Sequence, residues 1–176
     1  MLDLLMTRRS IRKYKSIEIE DEKIDLILKA ALLSPSSRGI CPWEFIVITD
    51  KTELNELSRC KQGGSDFLKD SSLGIVVLAD ADKSDVWIED TSIASIIIQL
   101  EAQDLGLGSC WIQIRDRMHD ENTTAEDYIR KLLLIPHNMR VESIISIGYP
   151  DENKSGHNED ELKYEKVHIS KYGDIH

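Results

Sequence analysis

Several common sites and signals are missing from this chain of 176 residues. Its three cysteines form no CxxC pair, and its five histidines show neither an HExxH motif nor another metal-ligand spacing, so we expect no metal site. Cys41 has no base motif near it in the sequence, which favours a structural thiol over a nucleophile. "GLGSCW" follows a helix pattern and precedes a strand pattern, the wrong order for a dinucleotide fingerprint, and no GKS or GKT occurs.

Long hydrophobic runs are also missing. The longest, "IASIIIQL", is far too short to span a bilayer, and no apolar stretch follows the first arginines as it would in a signal peptide. An odd number of cysteines without paired spacing is typical of free thiols in a reducing compartment. We therefore expect a cytoplasmic protein that is not embedded in a membrane.

The charge balance is acidic, with 32 Asp and Glu against 22 Lys and Arg and a net charge of -10. This argues against a nucleic-acid or membrane-surface partner, because such binding depends on cations that neutralise phosphates. Yet "RRSIRKYK" places five cations within residues 8–15. It is either a solvated basic face or a local anion site. In the second case the alternating Arg8, Ser10 and Arg12 would converge on one phosphate monoester.

Hydrophobic periodicity predicts an α+β fold, a central sheet flanked by helices, because helices and strands mix without regular βαβ spacing. "DKTE" predicts a capping box of Asp50 and Glu53, and "TTAE" predicts one of Thr123 and Glu126. Gly106 would end the longest helix. The predicted helices cover 21–33, 51 to about 60, 85–105 and 124–135, and the predicted strands are "WEFIVIT", "LGIVVLAD", "SCWIQI" and "RVESIISIGYP".

The helix over 85–105 is apolar around most of its circumference, which predicts burial on nearly all sides. In a domain of this size, that indicates packing against a second subunit. We expect a compact domain over 1–150 and a polar C-terminal arm over 151–176 that packs on the partner. The alternation of Val167 and Ile169 predicts an edge strand there, in this subunit or its partner.

Four segments, in order, resemble the FMN-dependent nitroreductase family: "RRSIRKYK", "AALLSPSSRGICPWEFIVITD", "GLGSCWIQIR" and "IISIGYP". The resemblance runs from about Leu4 to Pro150 and is to a small member. It implies a nitroreductase-like α+β fold with a mostly antiparallel sheet and a long central helix. It also implies an intertwined homodimer with two FMN sites at the interface, each built from both subunits.

The resemblance also implies a set of cofactor-binding residues. Arg8, Arg9 and Ser10 would hold the FMN phosphate and ribityl chain, and Arg12 would lie at the pyrimidine edge of the ring, where Gly64 would let the backbone approach. The other subunit would supply Pro35, Ser36, Ser37 and Gly39. A backbone N–H near Gln113 would donate to flavin N5. The segment Trp111, Ile112, Gln113 and Ile114 would contact the ring, and Lys166 and His168 would lie near the phosphate.

Three features depart from the family pattern. Many members have Asn and Gln where this chain has Gly39 and Cys41. No basic residue for the pyrimidine edge is evident in "GGSDFLK". His168 stands where Arg is frequent. The first two bear on acceptor choice and flavin potential, and the third bears on affinity for the phosphate.

The activity implied is a ping-pong reaction in which NADH or NADPH reduces FMN and a small acceptor, such as a nitroaromatic or quinone, reoxidises it. The flavin would carry the chemistry, with no obligatory side-chain acid or base. Two alternatives stay open at this point. One is an FMN carrier or redox sensor with little turnover, and the other is a specialised flavin-dependent reduction or dehydrogenation.

Overall fold

The central strand carries the eight-residue run "LGIVVLAD", and every one of its residues is buried. A computed structural model describes residues 1–175 and pairs this strand on both sides within one antiparallel sheet of order β1-β2-β4-β3. The strands are β1 (Trp43–Ile48), β2 (Leu73–Asp80), β3 (Gly108–Gln113) and β4 (Met139–Gly148). The α-helices are α1 (Leu2–Thr7), α2 (Asp21–Leu32), α3 (Lys51–Leu57), α4 (Trp87–Asp104) and α5 (Ala125–Leu133). The predicted α+β class is confirmed.

Successive residues of the strands serve two separate cores. Ile144 packs with α3 and α5 on one face, whereas Ile145 packs with α2 and α4 on the other. Both side chains are fully buried, and burying an isoleucine contributes about 1.5–3 kcal/mol. The alternation explains why an apolar run without polar gaps forms β2, since helices cover both faces.

The two capping predictions had different outcomes. Asp50 caps α3 by accepting hydrogen bonds from the backbone N–H groups of Thr52 (2.8 Å) and Glu53 (3.0 Å). The cap of α5 lies one residue later than predicted, at Thr124, which accepts from the backbone of Asp127 at 3.0 Å. Thr123 does not begin the helix because its carbonyl instead accepts from the backbone N–H of His119 at 2.8 Å in the preceding turn.

Helix α4 is the long helix that the sequence predicts, and Gly106 follows it with a φ of +76°. One side is buried against the sheet through Ala94, Ile98 and Ala102. The prediction of burial on nearly all sides is wrong for the single chain, because Ile93 is 39% exposed. Packing of that side against a second subunit stays a prediction.

The C-terminal arm has two parts. Residues 151–157 lie against the N-terminal segment, with the backbone N–H of Asp151 bonded to the Lys13 carbonyl at 2.9 Å. Beyond them, the predicted edge strand is wrong for this chain. Residues 168–175 fold back in a tight turn that pairs His168 with Ile175, with Gly173 at a φ of +104°. The alternation at Val167 and Ile169 therefore marks an exposed turn and not a strand of the sheet.

The three thiols differ in accessibility, which gives a first test of the fold. Cys41 is exposed, whereas Cys60 and Cys110 are buried. Burial raises the pKa of the Cys60 thiol to about 11. We expect one thiol to react rapidly with an aromatic disulfide reagent at pH 8 and two to react only after unfolding. A Cys41→Ser variant should lose the rapid phase. Two rapid thiols in folded wild-type protein would contradict this arrangement.

Candidate functional site

The first part of the basic run lies along the outer edge of β3. Ser10 pairs with Ser109 in a parallel bridge, and the backbone N–H of Ile11 donates to the Ser109 carbonyl at 2.9 Å. A side chain at Gly108 would meet Ile11 atoms at 2.8 Å, so glycine is required for this approach. The N-terminal segment thus covers the start of the β3 edge and leaves the rest open.

The open part of the β3 edge presents unpaired backbone groups. The Ile114 N–H donates to Glu142 at 3.1 Å and so faces the sheet, whereas the Ser109 carbonyl faces outward to Ile11. The backbone N–H and C=O groups of successive residues point to opposite sides of a strand. The N–H of Gln113, one residue before Ile114, therefore also faces outward. Within residues 1–175 it has no recorded acceptor. This N–H lies where the resemblance predicts a donor to flavin N5.

The side chains of residues 111–114 already pack or form hydrogen bonds within the protein. Ile112 and Ile114 are fully buried in the core, so they offer a ligand only their backbone. The Gln113 amide accepts from the Trp111 indole N–H (2.9 Å) and donates to the Glu142 carboxylate (3.3 Å). Burial raises the pKa of Glu142, although Gln113 and an ion pair with Arg115 at 3.1 Å oppose the shift. Core packing and side-chain hydrogen bonds therefore fix residues 111–114 in position.

Several cations converge beside this edge, around the buried thiol of Cys110. Burial raises the pKa of Cys110, and Arg12, Ser10, Lys154 and Arg8 each act to lower it. The net shift is upward, so the thiol stays protonated at neutral pH and is a poor nucleophile. Arg8, Ser10 and Arg12, which the sequence predicts as ligand-binding residues, therefore all lie close enough to Cys110 to act on its thiol.

Lys154 is the residue of this cluster that the sequence interpretation missed. Its Nζ lies 2.5 Å from the Ser10 carbonyl and 3.2 Å from Glu152. Close packing holds its segment in place, since a side chain at Gly156 would meet the Met6 carbonyl at 2.8 Å. Arg9 donates to the Ser155 carbonyl at 2.6 Å. The available signal was that Lys154 is the single lysine or arginine within 151–162.

A second missed residue is Lys61. "GGSDFLK" contains no suitable basic residue, but Lys61 lies just before it and its Nζ would be 3.7 Å from a side chain at Gly64. Burial is the main cause that lowers the pKa of Lys61, and Cys110 is among the neighbours that oppose this shift. Gly64 has a φ of +77°, which disfavours any other residue. A partly buried cation therefore does lie near Gly64.

The predicted cofactor-binding residues of the 35–39 loop do not lie beside β3. The loop of Pro35, Ser36, Ser37 and Gly39 is fixed near the start of α4, where the Ser37 N–H donates to the buried Asp90 carboxylate at 2.8 Å. The Ser36 hydroxyl accepts from the Cys41 N–H at 2.8 Å. The N-terminal segment instead contacts the end of α4, through Thr7 and Gln103. Asp90 and Gln103 are about 20 Å apart along the helix, so one chain does not join the two halves.

Lys166 and His168 also lie apart from the cation cluster. Every recorded backbone hydrogen bond of residues 159–175 stays within the C-terminal arm itself, and His168 accepts from the Gly173 N–H at 3.2 Å. Their contribution to a site on a partner subunit stays a prediction.

Within residues 1–175 no group of three His, Cys, Asp or Glu side chains is arranged to hold a metal. Nor is any helix of that range long and apolar enough to cross a bilayer.

Comparisons with known proteins identify the family of the chain. The nitroreductase family profile covers residues 5–149. A solved structure of an FMN-dependent nitroreductase from Clostridium difficile R20291 is 57% identical, with a TM-score of 0.97 over 98% of this chain and 100% of that chain. An Archaeoglobus fulgidus protein, provisionally named an NADH dehydrogenase/NAD(P)H nitroreductase, is 39% identical over 97% of this chain and 98% of its own length. A Vibrio harveyi NADPH-flavin oxidoreductase is 26% identical over 86% of this chain and 66% of its own length. The chain belongs to the nitroreductase family.

Proposed function

We propose that this protein is an FMN-dependent NAD(P)H oxidoreductase that acts as a homodimer and reduces nitroaromatics, quinones or related small acceptors in a ping-pong reaction. One observation carries the proposal. The outward N–H of Gln113 lies on the unpaired edge of β3, the strand whose Cys110 has Arg8, Arg12 and Lys154 as neighbours. A flavin mononucleotide needs such a pairing, since its ring accepts a hydrogen bond at N5 and its other end carries a phosphate.

The residues present fit FMN. Arg8, Ser10 and Lys154 would hold the phosphate, and the backbone of Trp111 to Ile114 would border the ring. Arg12 and Lys61 would lie at the pyrimidine edge, where fixed positive charge stabilises the negative charge that reduction produces. When bound, FMN supplies the group that accepts and donates hydride. The chain supplies binding, orientation and positive charge.

A homodimer is proposed because each chain contains two halves of a site at opposite ends of α4. A second copy would place its 35–39 loop beside the first copy's β3 edge. The partly exposed side of α4 around Ile93 offers apolar surface for this association. Exposed Val167, Ile169 and Tyr172 offer more on the C-terminal arm.

We propose no catalytic side chain. The Cys110 thiol stays protonated, and the Gln113 amide is occupied by Trp111 and Glu142. Protons for the acceptor would come from water. The main contribution of the protein to the rate would then be to position the nicotinamide donor and the acceptor against the flavin.

The visible absorption spectrum tests the proposal. Purified protein supplied with FMN should show bands near roughly 370 and 450 nm that bleach when NADH or NADPH is added without oxygen. Steady oxidation of the nicotinamide should follow when a nitroaromatic or quinone is present. Persistent bands would favour an FMN carrier. Failure to retain FMN at all would contradict the proposed site.

A further inference from the structure

The basic run contributes to two separate cavities. One, of about 220 Å³, is lined by Arg9 and Lys154 among others. The other, of about 390 Å³, shares none of these lining residues. We name it the lysine groove. It is lined by Arg12, Lys13, Tyr14, Ser16, Lys51, Lys69, Asp70 and Asp151. Adjacent residues of one run therefore line different cavities.

The lysine groove carries an excess of positive charge. It holds four cations against two carboxylates, in a protein whose net charge is -10. Within residues 1–175, Arg12, Lys13 and Lys69 form no ion pair, although elsewhere Arg130 and Arg140 are paired at 2.8–3.1 Å. Uncompensated like charges around one concavity repel each other, and a bound anion would relieve that repulsion.

The groove is held in place by contacts from three parts of the chain. The guanidinium of Arg12 lies 5.7 Å from the centre of the Phe67 ring. Lys51 donates to the Ser71 carbonyl at 2.5 Å. Glu152 accepts from the backbone N–H of Arg12 at 2.5 Å, a bond that lowers the pKa of that carboxyl. Arg12 and Lys51 are therefore positioned by the fold before any ligand binds.

FMN has one phosphate, which the proposed function assigns to Arg8, Ser10 and Lys154. The lysine groove includes Arg12, which the proposed function places at the pyrimidine edge. We propose that it binds a phosphate of the nicotinamide donor, the 2′-phosphate of NADPH foremost, so that NADPH is preferred over NADH. This rests on the proposed function. In an extended donor the adenosine half is far from the nicotinamide, so the 2′-phosphate would lie beside the flavin and not over it.

The test compares a Lys13→Ala/Lys69→Ala double variant with a matched Lys29→Ala/Lys131→Ala control, whose lysines are exposed on α2 and α5. In FMN-loaded protein we expect the double variant to raise the KM for NADPH about tenfold or more, with kcat unchanged, because charge-assisted hydrogen bonds to phosphate are lost. The KM for NADH should change less than about twofold. An equal rise for both donors would overturn the assignment of the 2′-phosphate to the groove. No rise for either donor overturns the proposal.

Calorimetry separates this proposal from the function on which it rests. Adenosine 2′,5′-bisphosphate should bind FMN-loaded wild-type and control protein, more weakly as salt is raised, and should bind the double variant about tenfold more weakly. Equal binding to wild type and double variant, or none to wild type, overturns the groove assignment. Failure of either nicotinamide to reduce the bound flavin would instead overturn the proposed function, whatever the calorimetry shows.

Discussion

Replacement of Lys154 by methionine is expected to weaken FMN binding about ten- to a hundredfold, because one charge-assisted hydrogen bond to phosphate contributes about 1.5–3 kcal/mol. Methionine keeps the apolar stem and removes the charge. Lys154→Arg should retain most of the affinity. The dissociation constant can be followed by quenching of FMN fluorescence, at two ionic strengths, with the exposed Lys171→Met as the control.

The same titration tests the resemblance directly. If the C-terminal pair holds the phosphate across the dimer, Lys166→Met and His168→Ala will also weaken binding. If Lys154 supplies that charge alone, neither variant will change the dissociation constant by more than about twofold. Unchanged FMN binding by Lys154→Met would remove this residue from the site.

Replacement of Glu126 by alanine is expected to lower the free energy of unfolding by about 3 kcal/mol, since Arg140 and the Val141 N–H lose their acceptor and Arg130 keeps only Asp127 and the Met139 carbonyl. Its side chain is 12% exposed and accepts from Arg140 Nε at 2.8 Å, Arg130 Nη2 at 3.1 Å and the Val141 N–H at 2.9 Å. Glu126 thereby joins α5 to the start of β4. The carboxylate also raises the pKa of Arg140.

For a chain of this size, that loss corresponds to a fall in Tm of about 6–12 °C. Thermal unfolding at fixed protein concentration measures it, with the exposed Glu121→Ala as the control. Glu126→Gln should be less damaging, because an amide oxygen still accepts hydrogen bonds. A fall in Tm no larger than that of the control would show that the network does not stabilise the fold.

Short-range signals in the sequence were reliable where one interaction governs the local structure. The branched run of β2 fixes a fully buried strand, and Asp50 caps α3 as its position before a helix pattern predicts. The slip from Thr123 to Thr124 at α5 has a similarly local cause, the turn at Asp120. Glu126, predicted to complete that cap, instead joins Arg130, Arg140 and Val141. The sequence spacing could not reveal that competition.

The candidate site was only partly predictable. Arg8, Ser10 and Arg12 were expected near a ligand, and all three lie near Cys110 of β3. Lys154 and Lys61 were missed because nothing local distinguishes them from surface lysines. Lys154 and Ser10 are 144 residues apart in the chain, and their contact depends on where β4 ends and how closely Gly156 approaches Met6.

The sequence by itself determined the α+β class, the four strands, the long helix and the family, because each depends on periodicity or on motifs within a few residues. Only the tertiary structure decided which cations converge, which N–H groups of β3 face outward, and that Arg9 and Arg12 line different cavities. It also placed the Ser36 loop and the Ser10 segment at opposite ends of α4. These outcomes depend on strand order and close backbone approach, which bring together residues far apart in the chain.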